Sequence, residues 1–189
     1  MNADAALKTE INAEEFLLWS QSRPDGERYE LVGGQPVRLQ AERVSHAERK
    51  LSAVTALRQG LRSAGLTDCR AFPDGVSVRI DDHTVREPDA LIHCGPYDRD
   101  GLFAPHPVIV VEVVSPSSQR TDVDRKLIDY FAVPSILHYL IVYGDEGRVI
   151  HHRRATADGQ ITTSILGRES VIDLSPPGLS MTVENLLES

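Results

Sequence analysis

Residues 108–114 read VIVVEVV. Six of the seven side chains are β-branched, a shape that crowds a helix but packs well on a pleated sheet. A near-continuous apolar run of this length predicts a central strand, covered on both faces. The exception is Glu112. A carboxylate inside such a strand is costly to bury unless it is paired or binds a metal. The competing reading is an edge strand with Glu112 turned to water, and the pattern alone leaves both open.

Working outward, Ser115-Pro116 ends the strand. Residues 119–133 predict a helix with Val123, Leu127, Tyr130 and Phe131 on one stripe, stopped by Pro134. LHYLIVY at 137–143 is a second strong strand. Residues 147–154 and 160–166 suggest a hairpin around Asp158-Gly159, and a short helix begins at Val183. Upstream, strand patterns cover 70–80 and 86–94 and meet at the turn Asp81-Asp82. Residues 44–63 predict an amphipathic helix with Val44, Ala47, Leu51, Val54, Leu57 and Leu61 as its apolar stripe, Ser45 as cap and Gly65 as terminator. Residues 28–40 read as a hairpin around Gly33-Gly34. Residues 9–20 read as a short helix with Asn12 and Glu15 in a capping box. The order of elements implies an α/β or α+β chain built on a mixed sheet flanked by helices.

The 189 residues suit one domain, 1–189, with 1–9 as a flexible tail. No run is long and apolar enough for a membrane helix, and the N-terminus lacks the basic and apolar regions of a secretory signal. Cys69 and Cys94 are too few for a disulfide framework, so reduced thiols and a cytoplasmic location are expected. The net charge of −8 argues against a protein that coats nucleic acid non-specifically. It leaves room for a local basic patch or an acidic metal site. No phosphate-binding glycine loop is present. His93-Cys94 and His151-His152 are poor zinc sites, because neighbours on a strand point to opposite faces. Ser115 and Ser117 lack a nucleophile elbow and read as turn and cap.

Two further residues could join Glu112. Asp89, in REPDALI, stands at the start of a strand that a loop (94–107) separates from the Glu112 strand. Two carboxylates on adjacent strands can hold a hard divalent cation. Taken alone, a Pro-Asp of this kind is more commonly a turn or strand-start residue, here Asp89 after Pro88. Lys126 lies at the edge of the apolar stripe of the next helix, where its stem can follow the core and its ammonium can return toward the sheet. Asp122, Lys126 and Tyr130 are four apart, so a surface pair between Asp122 and Lys126 is the simple alternative.

Five segments together resemble one family: YEL at 29–31, EPD at 87–89, VVEVVSPSS at 110–118, TDVDRKLIDY at 121–130 and VPSILHYLIV at 133–142. It is the Uma-two family of restriction-endonuclease-like proteins, within the PD-(D/E)XK nuclease superfamily, and the resemblance runs from about residue 10 to about 187. It implies a restriction-endonuclease-like fold and a metal-dependent phosphodiesterase site. By position, Glu30 matches an early acid, Asp89 the Asp of the Pro-Asp motif, and Glu112 the acid of the (D/E)XK motif. The usual lysine position holds Val114, and Lys126 is the match for a lysine that has migrated to the next helix. His46 matches a histidine common near that place. Gly33-Gly34-Gln35 departs from the family pattern after YEL and leaves Glu30 in place.

The resemblance implies Mg²⁺ or Mn²⁺ bound by Asp89, Glu112 and the carbonyl of Val113, with Glu30 completing the site and Lys126 orienting water or neutralising charge. It also implies a nucleic-acid substrate, DNA first, and a homodimer. The alternative is a catalytically silent interaction module on the same fold. The most basic stretch, RVIHHRR at 148–154, and Arg49, Lys50, Arg58 and Arg62 on the second helix could contact a nucleic-acid backbone.

Overall fold

The computed structural model describes residues 10–114, 120–155 and 159–188; the side chains of residues 120–123 are outside the described set. Ser115, Pro116, Ser117 and Asp158, with the tail 1–9, therefore lie outside the described residues. The Asp122 side chain does too.

Twelve strands and four α-helices are assigned among the described residues: α1 (Ala13–Gln21), β1 (Tyr29–Val32), β2 (Gln35–Arg38), α2 (Val44–Ser63), β3 (Cys69–Pro73), β4 (Val78–Arg79), β5 (Val85–Arg86), β6 (Ala90–Cys94), β7 (Pro107–Val114), α3 (Arg120–Ala132), β8 (His138–Tyr143), β9 (Arg148–Arg154), β10 (Ile161–Gly167), β11 (Val171–Leu174), β12 (Leu179–Thr182) and α4 (Val183–Glu188). The main sheet has the order β10-β9-β8-β7-β6-β3. Only β7 and β8 run parallel in it, joined through α3 as a parallel pair requires. A smaller sheet, β2-β1-β5-β4, stands beside it, and β11 pairs with β12.

The strand 108–114 is central, and the edge-strand reading of Glu112 fails: β7 lies between β6 and β8, and Glu112 is 7% exposed. Alternation along β7 sorts its side chains. Ile109, Val111 and Val113 pack on the side covered by α2, with Leu57 and Leu61. Val110 and Val114 pack on the other side with Tyr130 and Phe131 of α3. Glu112 has the parity of the α3 side, so any partner from a helix must come from α3.

Several local expectations are met. Asn12 and Glu15 close a capping box on α1. Gly33 and Gly34 turn the β1–β2 hairpin at φ +57° and +77°, conformations that favour glycine. Others need correction. Arg43, not Ser45, occupies the N-cap of α2 and makes no side-chain cap bond. The stripe of α2 is rotated: Val44 and Leu51 are exposed, while Lys50, Ala53 and Ala56 are buried. Cys69 and Cys94 are bonded to each other rather than reduced, because the β3–β6 register sets them directly opposite. Strands β11 and β12 have no counterpart in the sequence reading; each has only four residues, and Pro176-Pro177 between them reads as a loop. No helix among the described residues is long and apolar enough to cross a membrane.

Candidate active site

The Glu112 carboxylate points into the space between β7 and α3. Lys126, one turn before Tyr130 on α3, brings its Nζ to 3.0 Å from both Glu112 oxygens. The Tyr130 hydroxyl donates to Glu112 Oε1 at 2.5 Å. Three donor contacts thus meet one buried carboxylate. Burial still dominates: it pushes the Glu112 carboxyl up to about 7, against the pull of Lys126, with Asp89 and Glu30 adding like charge. Burial also raises the Tyr130 hydroxyl, reinforced by the neighbouring Glu112, so Tyr130 stays a donor.

Asp89 reaches the same place from the start of β6. The β6–β7 ladder has Ala90 opposite Val111, so Asp89 lies one residue past the last pair. Beyond that point the β6–β7 ladder has ended, and the Val113 amide needs another acceptor. Asp89 Oδ2 supplies it at 2.7 Å. The ladder's end therefore fixes a carboxylate beside Glu112 at the edge of the sheet.

Glu30, on β1, is 4% exposed. Its oxygens accept from Arg86 at 2.8 Å and from the Glu87 amide at 3.0 Å, and Lys126 Nζ is 3.6 Å away. Arg86, 1% exposed, also grips Asp129 of α3 through Nε at 2.8 Å and NH2 at 2.6 Å. Burial opposes the Arg86 charge, but Glu30 and Asp129 more than offset it and raise its pKa. One guanidinium so ties β1, β5 and α3 together around the acids.

On the other flank, α2 presents His46 and Lys50. His46 Nε2 lies 3.8 Å from Asp89 Oδ2. Lys50 Nζ contacts Asp74 at 2.5 Å, Glu42 at 2.6 Å and Asp89 at 3.3 Å. Burial disfavours the Lys50 ammonium, yet these partners hold it above the ordinary lysine value. Arg28 joins Asp74 to Glu87 on the outer side. Glu42, His46 and Asp89 each offer a ligand atom within 4.8 Å of the others, a mixed oxygen and nitrogen set that could hold a cation.

The structure thus brings Glu30, Asp89, Glu112, Lys126 and Tyr130 together, with Val113 between the acids and His46 at the flank. The basic segments expected to meet nucleic acid fare differently. Lys50 is buried in ion pairs, Arg49 pairs with Asp145, and β9 is an interior strand whose His151 and His152 are buried. Arg153 is taken by Asp173 and Ser175, and Arg154 by carbonyls of Phe131 and Ile136. The sequence reading holds no role for Arg86, Asp129 or Asp74, and it sets Lys50 against nucleic acid rather than beside Asp89. For Lys50 a signal existed: His46, Lys50, Ala53, Leu57 and Leu61 follow one another at three- and four-residue spacing, so the core face of α2 begins with two polar residues.

Comparison with known proteins bears on family and fold. Residues 13–184 match the family model Uma2, described as "Putative restriction endonuclease". An uncharacterised protein of Synechocystis sp., slr1290, is 25% identical over 177 residues, covering 92% of this chain and 90% of that protein. A crystal structure described as a "putative nuclease belonging to DUF820" from Anabaena variabilis superposes with a TM-score of 0.71 at 16% identity, covering 94% of this chain and 97% of that one. At that identity the superposition speaks for the fold.

Proposed function

Because the chain belongs to the Uma2 family, we propose that it is a nuclease that hydrolyses DNA phosphodiester bonds with the help of a divalent cation, Mg²⁺ or Mn²⁺. The observation that carries this reading is the position of Lys126. Val114 stands where the usual motif has lysine, and an ammonium from α3 lies 3.0 Å from Glu112 instead. A surface role paired only with Asp122 would not bury the Lys126 side chain to 12% exposure against two acids.

Asp89 and Glu112 would hold the cation. A strand residue directs its N–H and C=O to the same edge, and the Val113 N–H already points at Asp89, so the Val113 carbonyl is the further oxygen ligand. Oxygen donors of this kind suit Mg²⁺, and His46 adds a nitrogen that Mn²⁺ accepts more readily. When bound, the cation polarises the phosphate and lowers the pKa of coordinated water. Lys126, freed in part from Glu112, would orient the attacking water or meet charge developing on the phosphate. Glu30 steadies Lys126, and Tyr130 holds the Glu112 carboxylate in plane. A two-fold dimer, matching the two strands of a duplex, belongs to the same reading.

Nicking of supercoiled plasmid tests it. Cleavage with Mg²⁺ or Mn²⁺ by the wild type, abolished by chelator and by Glu112→Gln, is the expected result. Intact plasmid with either ion overturns the reading and favours an interaction module, and equal nicking by Glu112→Gln overturns the assignment of the site.

A further inference from the structure

We propose that Arg58, Arg62 and Arg70 form a second phosphate-holding pocket, which grips the bound nucleic-acid strand several nucleotides from the bond that is cut. This rests on the nuclease reading above and extends it to how the substrate is held.

The three arginines line one open hollow of about 570 Å³ at the end of α2 and the start of β3, together with the apolar Leu61, Leu66 and Phe72. Seven arginines elsewhere in this chain, Arg28, Arg38, Arg49, Arg79, Arg86, Arg153 and Arg168, pair with carboxylates. Among the described residues, Arg58, Arg62 and Arg70 pair with none. Arg58 and Arg62 are four apart on one helix face, where like charges repel. In a chain of net charge −8, a cluster of three unpaired cations is a local reversal of sign.

The donors are also prepared. Arg58 Nε donates to the Ala71 carbonyl at 3.3 Å. Arg70 NH1 donates to the carbonyls of Thr67 at 2.6 Å and Cys69 at 2.8 Å. Each bond fixes a stem while leaving most of the five guanidinium N–H donors for an anion. Planar forked donors of this type match phosphate oxygens.

Position supports a strand of nucleic acid as the occupant. Lys50, on the same helix, touches Asp89. At 1.5 Å per residue, Arg58 lies ~12 Å and Arg62 ~18 Å further along α2. That span corresponds to roughly four or five nucleotides of duplex at ~3.4 Å each. A polyanion reaching the acidic active site needs such a foothold, since the protein as a whole repels it.

Anisotropy of a labelled DNA duplex measures this, with Glu112→Gln as the background that prevents cleavage. The variant Arg58→Gln/Arg62→Gln/Arg70→Gln, altered only at exposed side chains, is compared with that background. Between about 50 and 200 mM salt, the triple variant should bind at least ~10-fold more weakly at the low end, and its log–log salt slope should shrink by about 2. The charge-preserving variant Arg58→Lys/Arg62→Lys/Arg70→Lys should recover most of the slope. Equal affinity and slope in the triple variant overturn this pocket and leave the nuclease reading standing. Failure of the background protein to bind duplex overturns both. If inorganic phosphate binds in an arginine-dependent manner while duplex affinity ignores the three substitutions, the pocket serves a small free anion and the proposal fails.

Discussion

Glu112 shows how far one residue can be read from sequence. Its placement in a β-branched run flagged an expensive buried charge, and Lys126 and Tyr130 on α3 are what make it tolerable. The residues that hold the acids in place were harder to see. Arg86 sits in a two-residue strand with nothing local to mark it, because its partners Glu30 and Asp129 are 56 and 43 residues away in sequence. Its importance is measurable. Arg86→Met would leave two carboxylates near the core without their cation, and breaking a buried pair in this way costs about 3–5 kcal/mol. Urea unfolding at neutral pH should show a loss of that size. Tyr130→Phe removes a single donor from Glu112, and a smaller loss of about 1 kcal/mol is expected from the same measurement.

Among the elements, β7 and α3 were the most legible, since continuous β-branching and a helical stripe ended by proline are strong signals. The face of α2 was misjudged because Lys50 and His46 hide polar chemistry in core positions, while Val44 and Leu51 spend apolar side chains on solvent. The β8–β9 pair carries a different buried polar device. His138 Nε2 donates to the Pro176 carbonyl at 2.8 Å, so its Nδ1 accepts from His151 Nε2 at 2.9 Å. Burial lowers each pKa to about 4, with the ring of His138 adding to the effect on His151, so both rings are neutral at pH 7. The unfolded chain takes up these protons near pH 6.5, before the folded one does. Stability is thus full above about pH 6.5 and falls as pH drops toward about 4, by on the order of 3 kcal/mol for a single ring shifted this far. Urea midpoints followed across that window should fall on acidification. The double variant His138→Asn/His151→Asn should be less stable at neutral pH and should lose most of the slope.

At the scale of the whole molecule, the sequence supported a mixed sheet with helices, and the family match and superposition agree. What it could not supply was the pairing of distant strands. The cysteines show this best: 25 residues apart, they look like isolated thiols until β3 and β6 lie side by side. Closing a loop of that length restricts the unfolded chain by about 3 kcal/mol in the chain-entropy view. For a chain of this size that corresponds to a Tm roughly 6–12 °C higher without reductant than with it. Scanning calorimetry of the oxidised and reduced protein checks the value.

The central claim is that a lysine from α3 serves an acidic cation site on the main sheet. Lys126→Ala tests it most directly, because the substitution leaves every proposed cation ligand in place. Plasmid cleavage in Mn²⁺ and calorimetric Mn²⁺ binding are measured together on the wild type and the variant. The expected result is retained ion binding with cleavage at least ~100-fold slower, the scale on which a preorganised electrostatic contact acts. Cleavage at the wild-type rate by a variant that binds the ion normally would contradict the account.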